Sequence, residues 1–160
     1  MNGSAPYRHY ADRDALLSAV AAVGYRELAE FLSPRHTRRR PRRTTWPRVA
    51  VAYMQFALRR PAVFRVMFGE PCDRDSAERV AATGAISAYV AAIVRQAFPG
   101  ADPDALATAV WALVHGLAFL HLDGKLDASD VAAVAARVTA AVHAMLTASA
   151  VMTPTGTSRQ

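Results

Sequence analysis

The chain has 160 residues, of which 52% are hydrophobic with moderate Gly and Pro, so it can bury a substantial core and is not an intrinsically disordered chain. Its bases are all Arg except Lys125, and they are unevenly placed: residues 1–60 hold twelve Arg against four acids, residues 61–160 seven bases against nine acids. A basic N-terminal part beside a near-neutral body points to a polyanionic partner at that end, or to a genome that favours Arg codons, although codon bias does not explain the clustering.

Cys72 is the single cysteine, which rules out an internal disulfide and fits a reducing, cytoplasmic setting. The opening residues MNGSAPYRHY lack the apolar core of a signal peptide. Residues 105–122 are uncharged and nearly long enough to span a bilayer, but they carry His115, Gly116 and His121 between clear helix caps, so they are expected to form a buried central helix and no membrane contact.

In chain order, Asp12 can cap a helix whose apolar stripe is Leu16, Val20, Val23, Leu28 and Phe31, ending near Ser33 and Pro34. The segment 35–43, with Arg35, Arg38, Arg39, Arg40, Arg42 and Arg43 among prolines, reads as a solvated loop. Helices are then predicted over residues 48–59, 61–68 (stopped by Gly69), 75–98 and 103–122 (Asp102 as cap, Pro103 in the first turn). Asp127, with Asp130 three residues on, starts the last helix. Its positions Val131, Val134, Val138, Ala141, Met145 and Ala148 form one narrow seam, which periodicity alone assigns equally to packing within the chain or against a second copy. The tail 153–160 reads as disordered, no β alternation persists, and the fold class is all-α.

No phosphate loop, H-E-x-x-H or nucleophile elbow occurs, so the chain is not expected to be an enzyme and no cofactor is implied. His115, His121 and Asp123 lie close in sequence, yet the two histidines fall about 240° apart around a helix, and no metal site is expected. Cys72 stands in a Pro-Cys-Asp-Arg turn beside Arg74, a weak setting for redox sensing. Tyr53, Phe56, Phe64, Met67, Phe68, Tyr89, Trp111, His115 and Phe119 place large apolar groups with a few polar tips on successive helices, which suits either an ordinary core or a pocket for a small apolar molecule.

Three segments together resemble the TetR/AcrR family of one-component regulators. Residues 5–17, Ala-Pro-Tyr-Arg-His-Tyr-Ala-Asp-Arg-Asp-Ala-Leu-Leu, are similar to the junction between the family's recognition and connecting helices. Residues 52–69, from Ala52-Tyr53-Met54-Gln55-Phe56-Ala57 to Arg60-Pro61-Ala62-Val63-Phe64-Arg65-Val66-Met67-Phe68-Gly69, look like the start of the effector domain in one subgroup, whose W-x-x-x-H-G signature matches Trp111 to Gly116. The resemblance implies an organisation of residues 1–11 as the end of the helix-turn-helix recognition helix, 12–34 as connecting helix, 44–150 as effector-binding and dimerisation domain and 151–160 as tail. It implies a homodimeric repressor that binds a small hydrophobic effector in the pocket named above, with Gly116, Val131, Val134, Val138 and Met145 at the dimer interface. Tyr7, His9 and Arg13 match positions that contact the DNA backbone, although in this chain Tyr7 and Tyr10 packing under preceding helices and a solvated Arg13 is the favoured reading. A complete member carries two further helices and most of a third before Tyr7, so DNA reading is expected to be incomplete in the chain as given, and a stand-alone or heterodimerising ligand-binding module is the alternative.

Overall fold

A computed structural model describes residues 13–32, 45–69, 76–98 and 102–151, and within them the chain is all-α. The helices are α1 (Arg13–Leu32), α2 (Thr45–Arg59), α3 (Pro61–Phe68), α4 (Ala77–Ala97), α5 (Pro103–Leu122) and α6 (Val131–Val151). Tyr7, His9, Asp12, the Arg-rich segment, Cys72 and the tail lie outside the described residues.

The local chemistry explains the helix boundaries. Ser76 caps α4, its hydroxyl accepting the Arg79 N–H. The Asp102 carboxylate accepts the Asp104 and Ala105 N–H groups and Pro103 opens α5, as expected. Two aspartates divide the work before α6: Asp130 accepts the Ala132 N–H at 2.8 Å and starts the helix, whereas Asp127 closes a turn on Ser129. Gly124 follows α5 at φ 68°, a left-handed position that favours glycine after a helix end.

The core has α2, not α5, at its centre. α2 packs on α1, α3, α5 and α6, and buries Trp46, Ala50, Tyr53, Met54, Phe56 and Ala57. α1 lies across α3 and α4 with a buried face of Ser18, Ala21, Ala22, Gly24, Tyr25, Leu28 and Leu32. The expected stripe holds at Leu28, which is fully buried, and fails at Val23 and Phe31, which are exposed. Small residues set the true face because they allow close approach: a Cβ on Gly24 would come within 2.5 Å of Met67 Sδ and 2.7 Å of Val63 Cγ1 on α3.

The expectation for α5 needs correction. It buries only Val110, Val114, Ala118 and His121, leaving Ala105, Ala109, Ala112, Gly116 and Leu120 exposed along one side. α6 lies mainly on α2 through Val134, Val138 and Val142, and meets α5 only lightly. Its outer side is a run of small groups, Ala133, Ala136, Ala140, Ala144 and Thr147, with His143 among them.

Candidate functional site: an aromatic cluster and a neighbouring cavity

Of the nine expected pocket residues, six come together: Tyr53 of α2, Phe64 and Phe68 of α3, and Trp111, His115 and Phe119 of α5. Helix periodicity on α5 brings Trp111, His115 and Phe119 onto one face at four-residue steps. Pro61 and Gly69 confine α3 to two turns, which set Phe64 and Phe68 side by side with ring centres 4.8 Å apart. His115 is the hub. Its ring lies 4.7 Å from Phe68, 5.0 Å from Phe119, 5.8 Å from Phe64 and 5.9 Å from Trp111.

One polar pair sits inside this aromatic shell, with the Tyr53 hydroxyl 2.9 Å from His115 Nδ1. Burial pushes the Tyr53 hydroxyl far above its ordinary range, against a smaller opposing pull from a hydrogen bond with the Trp111 side chain. Burial also lowers the His115 pKa, so both groups are held neutral. The Tyr53 hydroxyl and His115 Nδ1 share one hydrogen bond, whose direction follows the imidazole tautomer. This pair is the polar element of an otherwise apolar cluster, with His115 Nε2 as a second polar atom on the same ring.

The other three expected residues are elsewhere. Phe56 stacks with Phe31 at 6.1 Å between α1 and α2. Met67 is buried against α1, where its carbonyl accepts the Tyr25 hydroxyl at 3.0 Å. Tyr89 on α4 donates to the Leu32 carbonyl at the end of α1. These residues make their contacts with α1 rather than with His115, and α4, which carries Tyr89, packs on both α1 and α5.

Among the expected interface residues, Val134 and Val138 are buried in the chain's own core and have no surface left for a partner. Met145 packs against that core as well, while Val131 and Gly116 are exposed. The seam read from α6 is therefore largely intrachain, since its valines fill the groove along α2. Among the described residues Gly116 meets no neighbour, as a Cβ there would find nothing within 4 Å. Arg13 is exposed at the start of α1, 3.9 Å from Asp14.

Away from the cluster, His121 is buried with Nε2 3.4 Å from Arg137 Nη1 and with no hydrogen-bond partner on Nδ1. Arg137 also donates to the Asp127 carbonyl, tying α6 to the turn that follows α5. Arg65 of α3 donates to the Leu122 carbonyl at 3.1 Å and pairs with Asp123, so the end of α5 is fastened to α3 at the rim of the aromatic cluster.

A cavity of about 390 Å³ opens between α1 and α4, lined by Tyr25, Arg79, Val80, Thr83, Gly84 and Ser87. Its signal in the sequence is the four-residue step of Arg79, Thr83 and Ser87, a polar stripe on a helix that otherwise reads as Ala, Ile and Val.

Comparison with known proteins agrees with this architecture. A solved structure of a protein with unknown function from Rhodococcus sp. RHA1 superposes with a TM-score of 0.71 at 26% identity, covering 89% of this chain and 77% of that one. No curated protein matches the sequence. Residues 46–150, which contain nearly all of α2, α3 to α5, most of α6 and the whole aromatic cluster, match the tetracyclin repressor-like C-terminal domain. The chain belongs to that TetR-like family of transcription regulators.

Proposed function

We propose that this chain is the effector-binding and dimerising body of a TetR-like repressor, working in the cytoplasm, and that it performs no catalysis. The observation that carries the reading is the uncovered side of α5 and α6. Both helices are long and apolar enough to cross a membrane, yet only about a fifth of each is buried within the chain. Apolar surface on this scale calls for a partner. Its small side chains, Ala112, Gly116, Ala136 and Ala140, suit another pair of helices at close range rather than lipid. Arg137, hydrogen-bonded in the middle of α6, also argues against a lipid setting.

The dimer face then consists of Gly116 with Trp111, Ala112, Leu120, Ala136, Ala140 and Val131, in place of Val134 and Val138. The aromatic cluster lies on the same helix as this face, since α5 carries His115 and Gly116 side by side. A small apolar effector that separates the rings and hydrogen-bonds with His115 Nε2 would displace α5, and with it the geometry of the pair. In a complete regulator that change alters the spacing of two DNA-binding lobes and releases successive major grooves.

Sedimentation equilibrium joined to a thermal-shift screen of apolar small molecules tests the reading. The expected result is a dimer whose melting temperature rises with a hit, as mass action requires, and a hit that loses its effect in a Phe119→Ala variant. A monomer at every concentration would overturn the dimeric body. Turnover of a hit would support an enzyme instead, and a stable dimer that no ligand shifts would support a pairing module without an effector.

A further inference from the structure

The cavity between α1 and α4 has a chemistry of its own, although its Tyr25 wall packs edge-on against Phe68 of the aromatic cluster. Arg79, Thr83 and Ser87 line one face of α4, with Val80 and Gly84 beside them and Tyr25 of α1 opposite. The volume of about 390 Å³ is that of a small-molecule site. Gly84 keeps the floor open, because a Cβ there would meet nothing within 4 Å.

The charge in the cavity is one-sided. Arg79 is the cation, none of the described lining residues is acidic, and no salt bridge among the described residues engages Arg79. Val80, next to it, is an apolar side chain left 61% exposed. The Tyr25 hydroxyl is used by Met67, which leaves its ring as a wall, and the Thr83 proton is used by the Arg79 carbonyl at 2.9 Å. The eight residue steps from Arg79 to Ser87 span about 12 Å along the helix.

We propose that this cavity binds a small organic monoanion with a compact apolar body. Its carboxylate-type headgroup rests on the Arg79 guanidinium, and its body crosses Gly84 between Val80 and the Tyr25 ring, with Ser87 at the far end. A guanidinium presents paired N–H donors that match a carboxylate in two hydrogen bonds, which gives the headgroup an orientation as well as attraction. The anion fills the open floor and covers Val80.

Titration calorimetry with 4-butylbenzoate, and with the matched alcohol and amine 4-butylbenzyl alcohol and 4-butylbenzylamine, tests the site. The carboxylate is expected to saturate one site per chain and to bind at least about tenfold tighter than the alcohol, with no binding of the amine. Arg79→Ala should remove that tenfold preference, and Gly84→Leu should abolish binding by filling the floor. Ser87→Phe blocks the same space from the surface and replaces Gly84→Leu should that variant fail to fold. Arg95→Ala, an exposed cation at the other end of α4, should change nothing and controls for the overall positive charge. Absence of saturable binding to the unmodified chain, or an Arg79→Ala variant that binds as tightly, would overturn the proposal. Binding lost in Phe119→Ala but kept in Arg79→Ala would place the ligand in the aromatic cluster, overturning this site while leaving an effector-binding body intact.

Discussion

α2 and α5 lie against each other, and both carry aromatic residues into the same cluster, yet they end in opposite situations. α2 is wrapped by four neighbours and buries Trp46, Tyr53, Met54 and Phe56. α5, an almost uninterrupted apolar run, buries one side and leaves Trp111 47% and Leu120 43% exposed. Apolar content tells how much surface a helix must cover, and the arrangement of its neighbours decides whether its own chain covers it. Around α2 the chain supplies α1, α3 and α6; outside α5 it supplies nothing among the described residues.

The sharpest break in that comparison is a large-to-small change on each side of α5. Phe64, fully buried under His115 and Tyr53, should cost about 3–5 kcal/mol when replaced by Ala, because the closed cluster cannot collapse onto the space. Trp111→Ala should cost the fold less and the self-association more. Denaturant unfolding with sedimentation on both variants checks the pair, and equal effects would mean that the exposed and buried sides of α5 are not distinct.

Next in size is Gly116→Arg. Nothing among the described residues obstructs a side chain there, so the fold should tolerate it. Across a pair of α5–α6 faces it would bury an unpaired cation twice by symmetry, weakening the dimer by about a hundredfold or more. Light scattering across a dilution series reads the outcome, and an unchanged dimer would place the interface elsewhere. Gly24→Ala follows, at about 1–3 kcal/mol, because Met67 and Val63 would have to move from a tight contact between α1 and α3. A neutral result in thermal unfolding would show that α1 is held less firmly than α2.

Much of the fold was legible in the sequence because its punctuation is chemical. Pro61 and Gly69 bracket α3, and Asp102 with Pro103 starts α5, since caps act over two or three residues and need no tertiary knowledge. The stripe of α1 was misread at Val23 and Phe31 because Ser18, Ala21 and Gly24 carry little hydrophobic signal and yet mark the side of closest approach. The Val131–Val134–Val138 seam was visible, but periodicity states that a face is covered and not by what, so α2 could not be told from a second copy. Tyr53, Phe64 and His115 could be named from residue type and family resemblance, whereas Phe56, Met67 and Tyr89 share their character and differ only in which helix they meet. The cavity at Arg79 carried a polar stripe in place of an aromatic one, and a search for apolar pockets passes over such a pattern.

The smallest expected effect is also the most specific to the cluster. Burial holds the His115 pKa below its ordinary 6.5, so the folded chain binds its proton less readily than the unfolded chain does. The stability that depends on a neutral His115 is therefore fully present above pH 6.5 and is lost as pH falls through the lower folded value. Protonation leaves Nδ1 able only to donate, so the Tyr53 hydroxyl can no longer donate to it, within a shell of four other rings. His115→Gln keeps an acceptor for Tyr53 and removes the titration. Melting temperatures taken from about pH 7.5 down to about pH 5 should fall more steeply for the unmodified chain than for His115→Gln. His121 and His143 are common to both chains and cancel in the difference. Parallel pH profiles would mean that His115 is already relieved of its burial, with the aromatic cluster open to water on the α5 side.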